Sequence, residues 1–307
     1  MYPIADAHCD YLYGAVNRNY DFDSPRGGQA IALPYMKEGN VRLQLYAVWV
    51  DSKIKKPYLH QCMEMVDAYH DMLAKHEELC VFDRDYVPES GKYATVLTVE
   101  GGEAIEGNIA NLRVLHRLGV RAMALTWNYT NELAQPAMRK HAKGLTAFGR
   151  DVVREMCRLN MAIDTAHLSD RGIDDILELT DAPIFASHSN SRSVFEHPRS
   201  LTDEHIKEIA SRGGVIGINF FHLQLTKRPT ACIDDIIRQI EHVAEVGGIR
   251  AVCIGSDFDG MGSYPEGLSN SSMLQKLPVR LEKLGYTEEQ IAGIAYGNLA
   301  DYMRRFV

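Results

Sequence analysis

No stretch of this chain approaches the roughly 18 uninterrupted apolar residues that would span a bilayer, so no membrane partner is expected. The opening residues, Met1-Tyr2-Pro3-Ile4-Ala5-Asp6, lack a basic segment followed by an apolar run, and no secretory signal is read there. The closing residues, Met303-Arg304-Arg305-Phe306-Val307, are too short and too charged for a lipid-anchor signal. Paired cysteines are missing as well. The six cysteines, at positions 9, 62, 80, 157, 232 and 253, are scattered with no CxxC pair, which reads as reduced thiols in a cytoplasmic protein. Basic charge is in deficit, with 33 Lys and Arg against 41 Asp and Glu, so a nucleic-acid backbone is a poor partner for a chain of net charge −8. Repeats, low-complexity tracts and linkers are absent too, and residues 1–307 are expected to form a single domain.

What is present is an ordinary globular composition, 46% hydrophobic and 24% charged, on a chain long enough for one large core. Short apolar runs alternate with longer amphipathic ones. The runs predict eight strands at 4–8, 41–50, 94–100, 120–126, 161–167, 183–188, 215–220 and 251–257. Several are nearly all apolar, as parallel strands covered on both faces are. Helical spacing predicts helices over 57–78, 104–118, 146–159, 170–179, 202–211 and 234–246, with two more at 271–284 and 287–304. Residues 11–40 are rich in Gly, Pro, Asn and Asp and read as one long loop. Eight strands alternating with helices predict an α/β protein of the (β/α)8 TIM barrel class, with a doubly wound open sheet as the alternative.

In that barrel, chemistry sits at the C-terminal ends of the strands. Those ends carry Asp6-Ala7-His8-Cys9-Asp10, Val99-Glu100-Gly101-Gly102, Asp164-Thr165-Ala166-His167, Ser187-His188 and Ser256-Asp257-Phe258-Asp259-Gly260. His8 and Asp10 alternate along a strand and are expected to face the same way. Each histidine, taken alone, is as readily a hydrogen-bonded structural residue, and Asp257 and Asp259 as readily turn residues. Their joint appearance on one rim is what points to a metal site, because imidazole and carboxylate suit zinc and a carboxylate can bridge two cations. Asp257, nearest its strand end, is the candidate catalytic carboxylate. Of the remaining histidines, His222 lies nearest a strand end.

These segments, with Gly144-Leu145-Thr146-Ala147-Phe148-Gly149 and Pro265-Glu266-Gly267-Leu268, resemble the membrane (renal) dipeptidase family of metallopeptidases over nearly the whole chain. The resemblance implies two Zn2+ ions per chain, with other divalent ions able to substitute, and a hydroxide shared between them as nucleophile. By motif position, His8 and Asp10 would hold one ion, His167 and His188 the other, and Glu100 would bridge them. Asp257 matches the family's catalytic aspartate. Arg199 in His197-Pro198-Arg199-Ser200 matches the arginine that takes the substrate's terminal carboxylate, and Arg192 fits that place less well. The resemblance further implies a small dipeptide substrate, of L,L or L,D configuration, and a homodimer. One departure stands out: the family's animal members carry a histidine where this chain has Trp127, in Leu125-Thr126-Trp127-Asn128. An indole offers only one N–H donor and relays no proton, which leaves Trp127, Asn128 and Asp259 as candidate substrate-binding residues. Two other readings remain open at this stage. One is a binuclear barrel hydrolase acting on a lactone, cyclic amide or phosphoester. The other is a barrel that binds without catalysing.

Overall fold

The computed structural model describes residues 1–307. Nine strands form one all-parallel sheet: β1 (Ile4–Cys9), β2 (Val41–Trp49), β3 (Leu79–Val81), β4 (Tyr93–Glu100), β5 (Val120–Ala124), β6 (Ala162–Asp164), β7 (Ile184–Ser189), β8 (Ile216–Ile218) and β9 (Val252–Ile254). β1 pairs with both β2 and β9, and β2 pairs directly with β4, so eight of the strands close into a barrel. An open doubly wound sheet is thereby excluded.

β3 is a strand that the sequence pattern does not predict. It pairs Leu79 with Tyr93 and Val81 with Thr95, on the edge of β4 below Leu97, where pairing with β5 begins. The backbone groups at the start of β4 would otherwise lack partners, and a three-residue strand supplies them. The helix before it, α3 (Tyr58–Lys75), accordingly stops short of Glu78.

Other boundaries also differ from expectation. The stretch 11–40 is not all loop. It holds α1 (Tyr11–Asn17) and α2 (Leu33–Gly39), each of seven residues, too short for a helical period to show in the sequence. The single helix expected over 104–118 is a 3₁₀ turn, Gly102–Ile105, followed by α4 (Ile109–Arg117), which starts where the Asn108 side chain accepts from the Ala110 N–H. Side-chain caps also start α5 (Ala147–Arg158) at Thr146, α6 (Asp170–Leu179) at Ser169 and α7 (Asp203–Ser211) at Thr202. After α8 (Ile233–Gly247), α9 (Lys276–Lys283) follows a separate 3₁₀ turn. The last helical segment is interrupted: α10 (Glu288–Ala292) and α11 (Asn298–Met303) are joined by a π turn at Gly293–Gly297.

Strand alternation sorts the core into two layers. Leu43 and Leu45 of β2, Ala94 and Val96 of β4, and Phe185 of β7 fill the barrel interior. Tyr46, Val48, Leu97, Val99, Ile163 and Ile184 face the helices. On β4 the interior series Ala94, Val96, Thr98 continues to Glu100, so period two alone carries that carboxylate into the mouth of the barrel. No helix is long and apolar enough to cross a membrane, and all six cysteines are free thiols.

Candidate metal centre

His8 lies in β1, Glu100 ends β4, and His188 lies in β7. Asp10, Asn128, His167, Asn219 and Asp257 follow β1, β5, β6, β8 and β9 in turn, so all of them gather at the C-terminal mouth. Simple alternation does not place His8 and His188. Both sit inside register shifts, between Asp6 and Cys9 on β1 and between Ala186 and Ser189 on β7, and such irregularities re-aim a side chain at a barrel rim. His167 and Asp257 adopt left-handed backbone conformations, with φ of 66° and 62°. Non-glycine residues pay for that geometry, and it recurs at functional sites.

Two buried aspartates that sequence reading did not single out hold these irregular turns. Asp6 accepts from the Ser256 N–H at 2.8 Å and the Ser256 hydroxyl at 2.6 Å, tying β1 to the turn carrying Asp257. Asp164 accepts from Ala166 and Ser187 N–H groups, both at 2.9 Å, tying the His167 turn to the His188 strand. Burial pushes both carboxyls up, and those hydrogen bonds oppose it. The only sequence signal was an aspartate two or three residues before a rim histidine.

Glu100 is the hub. Its Oε1 lies 2.8 Å from His167 Nε2 and 3.3 Å from His188 Nε2, while its Oε2 lies 3.8 Å from His8 Nε2. His8 Nε2 in turn lies 3.3 Å from Asp10 Oδ2 and 3.9 Å from Asp257 Oδ1. The two oxygens of one carboxylate thus face two separate groups of donors. The Asn128 Oδ1 accepts from His167 Nδ1 at 2.9 Å, which places the proton on Nδ1 and leaves the Nε2 lone pair bare. That lone pair points at His188 Nε2, 2.9 Å away, while His188 Nδ1 meets the Ser187 hydroxyl at 2.8 Å.

This arrangement fits cations. Burial, with help from the nearby Arg199 and His8, drives His167 and His188 well below the usual histidine range, so both present neutral nitrogens. Burial raises Glu100 well above the usual carboxylate range, and Asp10 and Asp257 add to the rise. His8 is shifted up to about 10 although burial opposes it, because Glu100, Asp10 and Asp257 surround it. In Asp10 the second oxygen, Oδ1, is buried without any hydrogen-bond partner. A Cβ at position 260 would run into Asp10 Oδ2 and Asp257 Oδ1, so glycine there keeps that space open. His8, Glu100 and His188 form one potential ligand group, and His8, Asp10 and Asp257 a second.

Beside this cluster opens a cavity of about 330 Å³, lined by Glu100, Asp257, Arg199, Trp127 and Asn128 among others. Asp257 is raised to about 6, by burial and by Asp10, with His8 and Arg199 opposing, and its Oδ2 accepts from Asn219 Nδ2 at 3.2 Å. Arg199 is only 7% exposed, donates from Nη2 to the His188 carbonyl at 3.4 Å, and leaves its Nε without a partner. Burial lowers it to about 10, so it stays charged at neutral pH. Arg192, by contrast, is engaged in a two-point pair with Asp170 at 2.7 and 2.8 Å and lies outside this cavity. Trp127 forms a wall, edge to face with Trp49 at 4.9 Å and with Tyr129 at 5.1 Å. Asp259 borders the cavity, but its two oxygens accept from the Ala30 and Ile31 N–H groups at 2.6 and 3.1 Å, so its carboxylate fastens the segment leading into α2. His222 meets the Ser263 hydroxyl at 2.9 Å and does not line the cavity, whereas His197 does line it.

Residues 1–305 match the family described as Membrane dipeptidase (Peptidase family M19). An uncharacterized dipeptidase of Schizosaccharomyces pombe is 32% identical over 95% of this chain and 77% of its own length. Human Dipeptidase 3 is 28% identical over 99% of this chain, which spans 65% of that relative. Among solved structures, dipeptidase AC, a metallo peptidase of family M19, superposes with a TM-score of 0.92 at 27% identity, covering 99% of this chain and 98% of that one. A metallo peptidase from Rhodobacter sphaeroides, liganded with a phosphinate mimic of the dipeptide L-Ala-D-Ala, shares the fold with a TM-score of 0.91 at 24% identity, covering 100% and 99%.

Proposed function

This chain belongs to the membrane dipeptidase family, peptidase family M19, and from that premise we propose that it is a zinc-dependent dipeptidase cleaving the single peptide bond of L,L and L,D dipeptides. The observation that carries the reading is Glu100, whose two oxygens face the His167–His188 pair on one side and His8 on the other. His8 with Asp10 would hold one divalent cation, His167 with His188 a second, and Glu100 both. Such a pair of ions, when bound, supplies a water of lowered pKa and a polarised scissile carbonyl.

The chain's own residues would do the rest. Asp257, raised to about 6, is tuned near neutrality, where a general base works best. It would take the proton of the attacking water and hand it to the leaving amine. Asn219 orients the carboxylate by holding its far oxygen. Arg199 presents a planar, two-pronged cation with an unsatisfied Nε, suited to a substrate α-carboxylate. Anchoring there sets the reach to the cluster, so only a bond one residue from the terminus is attacked. An arginine that reads the carboxylate is indifferent to the configuration of the residue bearing it, which admits a D residue at the second position. Trp127 would close the cavity and exclude a third residue. Six free thiols suit a reducing compartment, and we extend the reading to a cytoplasmic enzyme.

The test compares a dipeptide, its C-terminal amide and the matching tripeptide on zinc-loaded protein. Wild type should turn over the dipeptide alone. Arg199→Ala should raise KM for the dipeptide by roughly 30-fold or more, the effect of losing one partner of a buried charge pair. Equal turnover of all three substrates by wild type would remove both the dipeptidase reading and the role given to Arg199.

A further inference from the structure

A second arginine borders the same cavity. Arg18 follows α1, in the loop after β1, while Arg199 follows β7, three places round the barrel. The Arg18 guanidinium lies over the Tyr13 ring at 4.9 Å. That ring is itself fixed, by a 3.0 Å hydrogen bond from its hydroxyl to Asp51 and by the edge of Trp49 at 4.9 Å. Arg18 makes no ion pair. Its polar contacts are with the side chains of Tyr13 and Tyr20 and, from Nη1, with the Asp259 carbonyl at 3.4 Å, long for such a bond. These partners are all neutral, so the guanidinium charge stands beside the cavity without a paired carboxylate.

A neutral dipeptide brings one carboxylate and one ammonium. If the carboxylate goes to the buried Arg199, the amino-terminal residue extends toward Asp10, the side on which Arg18 stands. A guanidinium there repels a bare ammonium. It becomes favourable when that same residue also carries an acid, which a planar fork can grip. Resting on the dipeptidase reading above, we infer that Arg18 selects dipeptides whose amino-terminal residue has a carboxylate side chain.

The experiment uses zinc-loaded wild type and Arg18→Met on L-Glu-L-Ala, L-Gln-L-Ala and L-Ala-L-Ala, with L-Ala-L-Glu and L-Ala-L-Gln as the reversed pair. In wild type, kcat/KM for L-Glu-L-Ala should exceed that for L-Gln-L-Ala by roughly five- to tenfold, the scale of a partly exposed charge-assisted pair. The ratio should fall to about one in Arg18→Met, and should shrink in wild type as salt is added. Because glutamate and glutamine are compared within each protein, any general loss of turnover cancels. A wild-type ratio of one, or a ratio unchanged in the variant, overturns the inference while L-Ala-L-Ala turnover leaves the dipeptidase reading standing. Equal losses on every substrate would make Arg18 the α-carboxylate anchor, and a preference confined to L-Ala-L-Glu would put the acid on the other residue; either outcome overturns it. If wild type cleaves none of the five, the dipeptidase reading and this inference fall together.

Discussion

The interior of the barrel floor and the rim above it are made by the same strands, yet they obey different rules. On the floor, Leu43, Leu45, Ala94, Val96 and Phe185 point inward and pack into one buried hydrophobic cluster. On the rim, His8 and His188 sit in register shifts, His167 and Asp257 take left-handed conformations, and buried aspartates hold the turns between them. Burial stabilises the floor directly, since removing apolar surface from water is favourable at each position. The rim consumes that stability. It buries carboxylates and neutral imidazoles whose lone pairs converge, an arrangement that a bound cation makes favourable.

If this division is sound, substitutions at the two levels should affect different measurements. The largest loss of turnover is expected at the rim. Asp257→Asn should lower kcat by roughly 10²–10⁴-fold, the range for a lost acid–base group, with zinc content and melting temperature near those of wild type. Wild-type turnover in that variant would transfer the proton to another group. Asn128→Ala should act one step further out. Without the acceptor for its Nδ1 proton, His167 no longer has a set tautomer or ring orientation, and zinc affinity measured by chelator competition should fall by about 10–100-fold. Unchanged affinity with a raised KM would make Asn128 a substrate contact only. The smallest effect on chemistry belongs to the floor. Phe185→Ala should cost about 3–5 kcal/mol of stability in denaturant titration, because Phe185 is fully buried against Tyr302, while turnover per folded molecule stays near wild type. A large loss of turnover without destabilisation would erase the distinction between the two levels.

Much of this is legible in the sequence alone. The barrel's eight strands are readable because each is built around an apolar run, and Glu100 is readable because it closes the run that forms β4. The missed elements share a physical cause. α1, α2 and β3 are too short for their own periodicity to register, and they exist because larger elements leave them backbone partners and apolar ground to cover. Asp6 and Asp164 escaped notice because each acts through backbone N–H groups on a distant segment. Asp259 is expected from the sequence to face the substrate, but its oxygens are taken by the Ala30 and Ile31 N–H groups, more than 220 residues away along the chain.

What the amino-acid order settled by itself is what depends on neighbours in the chain. That covers the inward and outward alternation of the strands, the capped starts of α5, α6 and α7, and the chemical types gathered at the strand ends. Which oxygen of Glu100 faces which histidine, which nitrogen of His167 is left bare, and where Arg18 and Arg199 stand across one cavity were decided only when the sheet closed. Closure joins β2 to β4 and sets Ser256 against Asp6, 250 residues apart. Contacts over such separations leave no trace in local pattern, because their partners become neighbours only in the folded barrel.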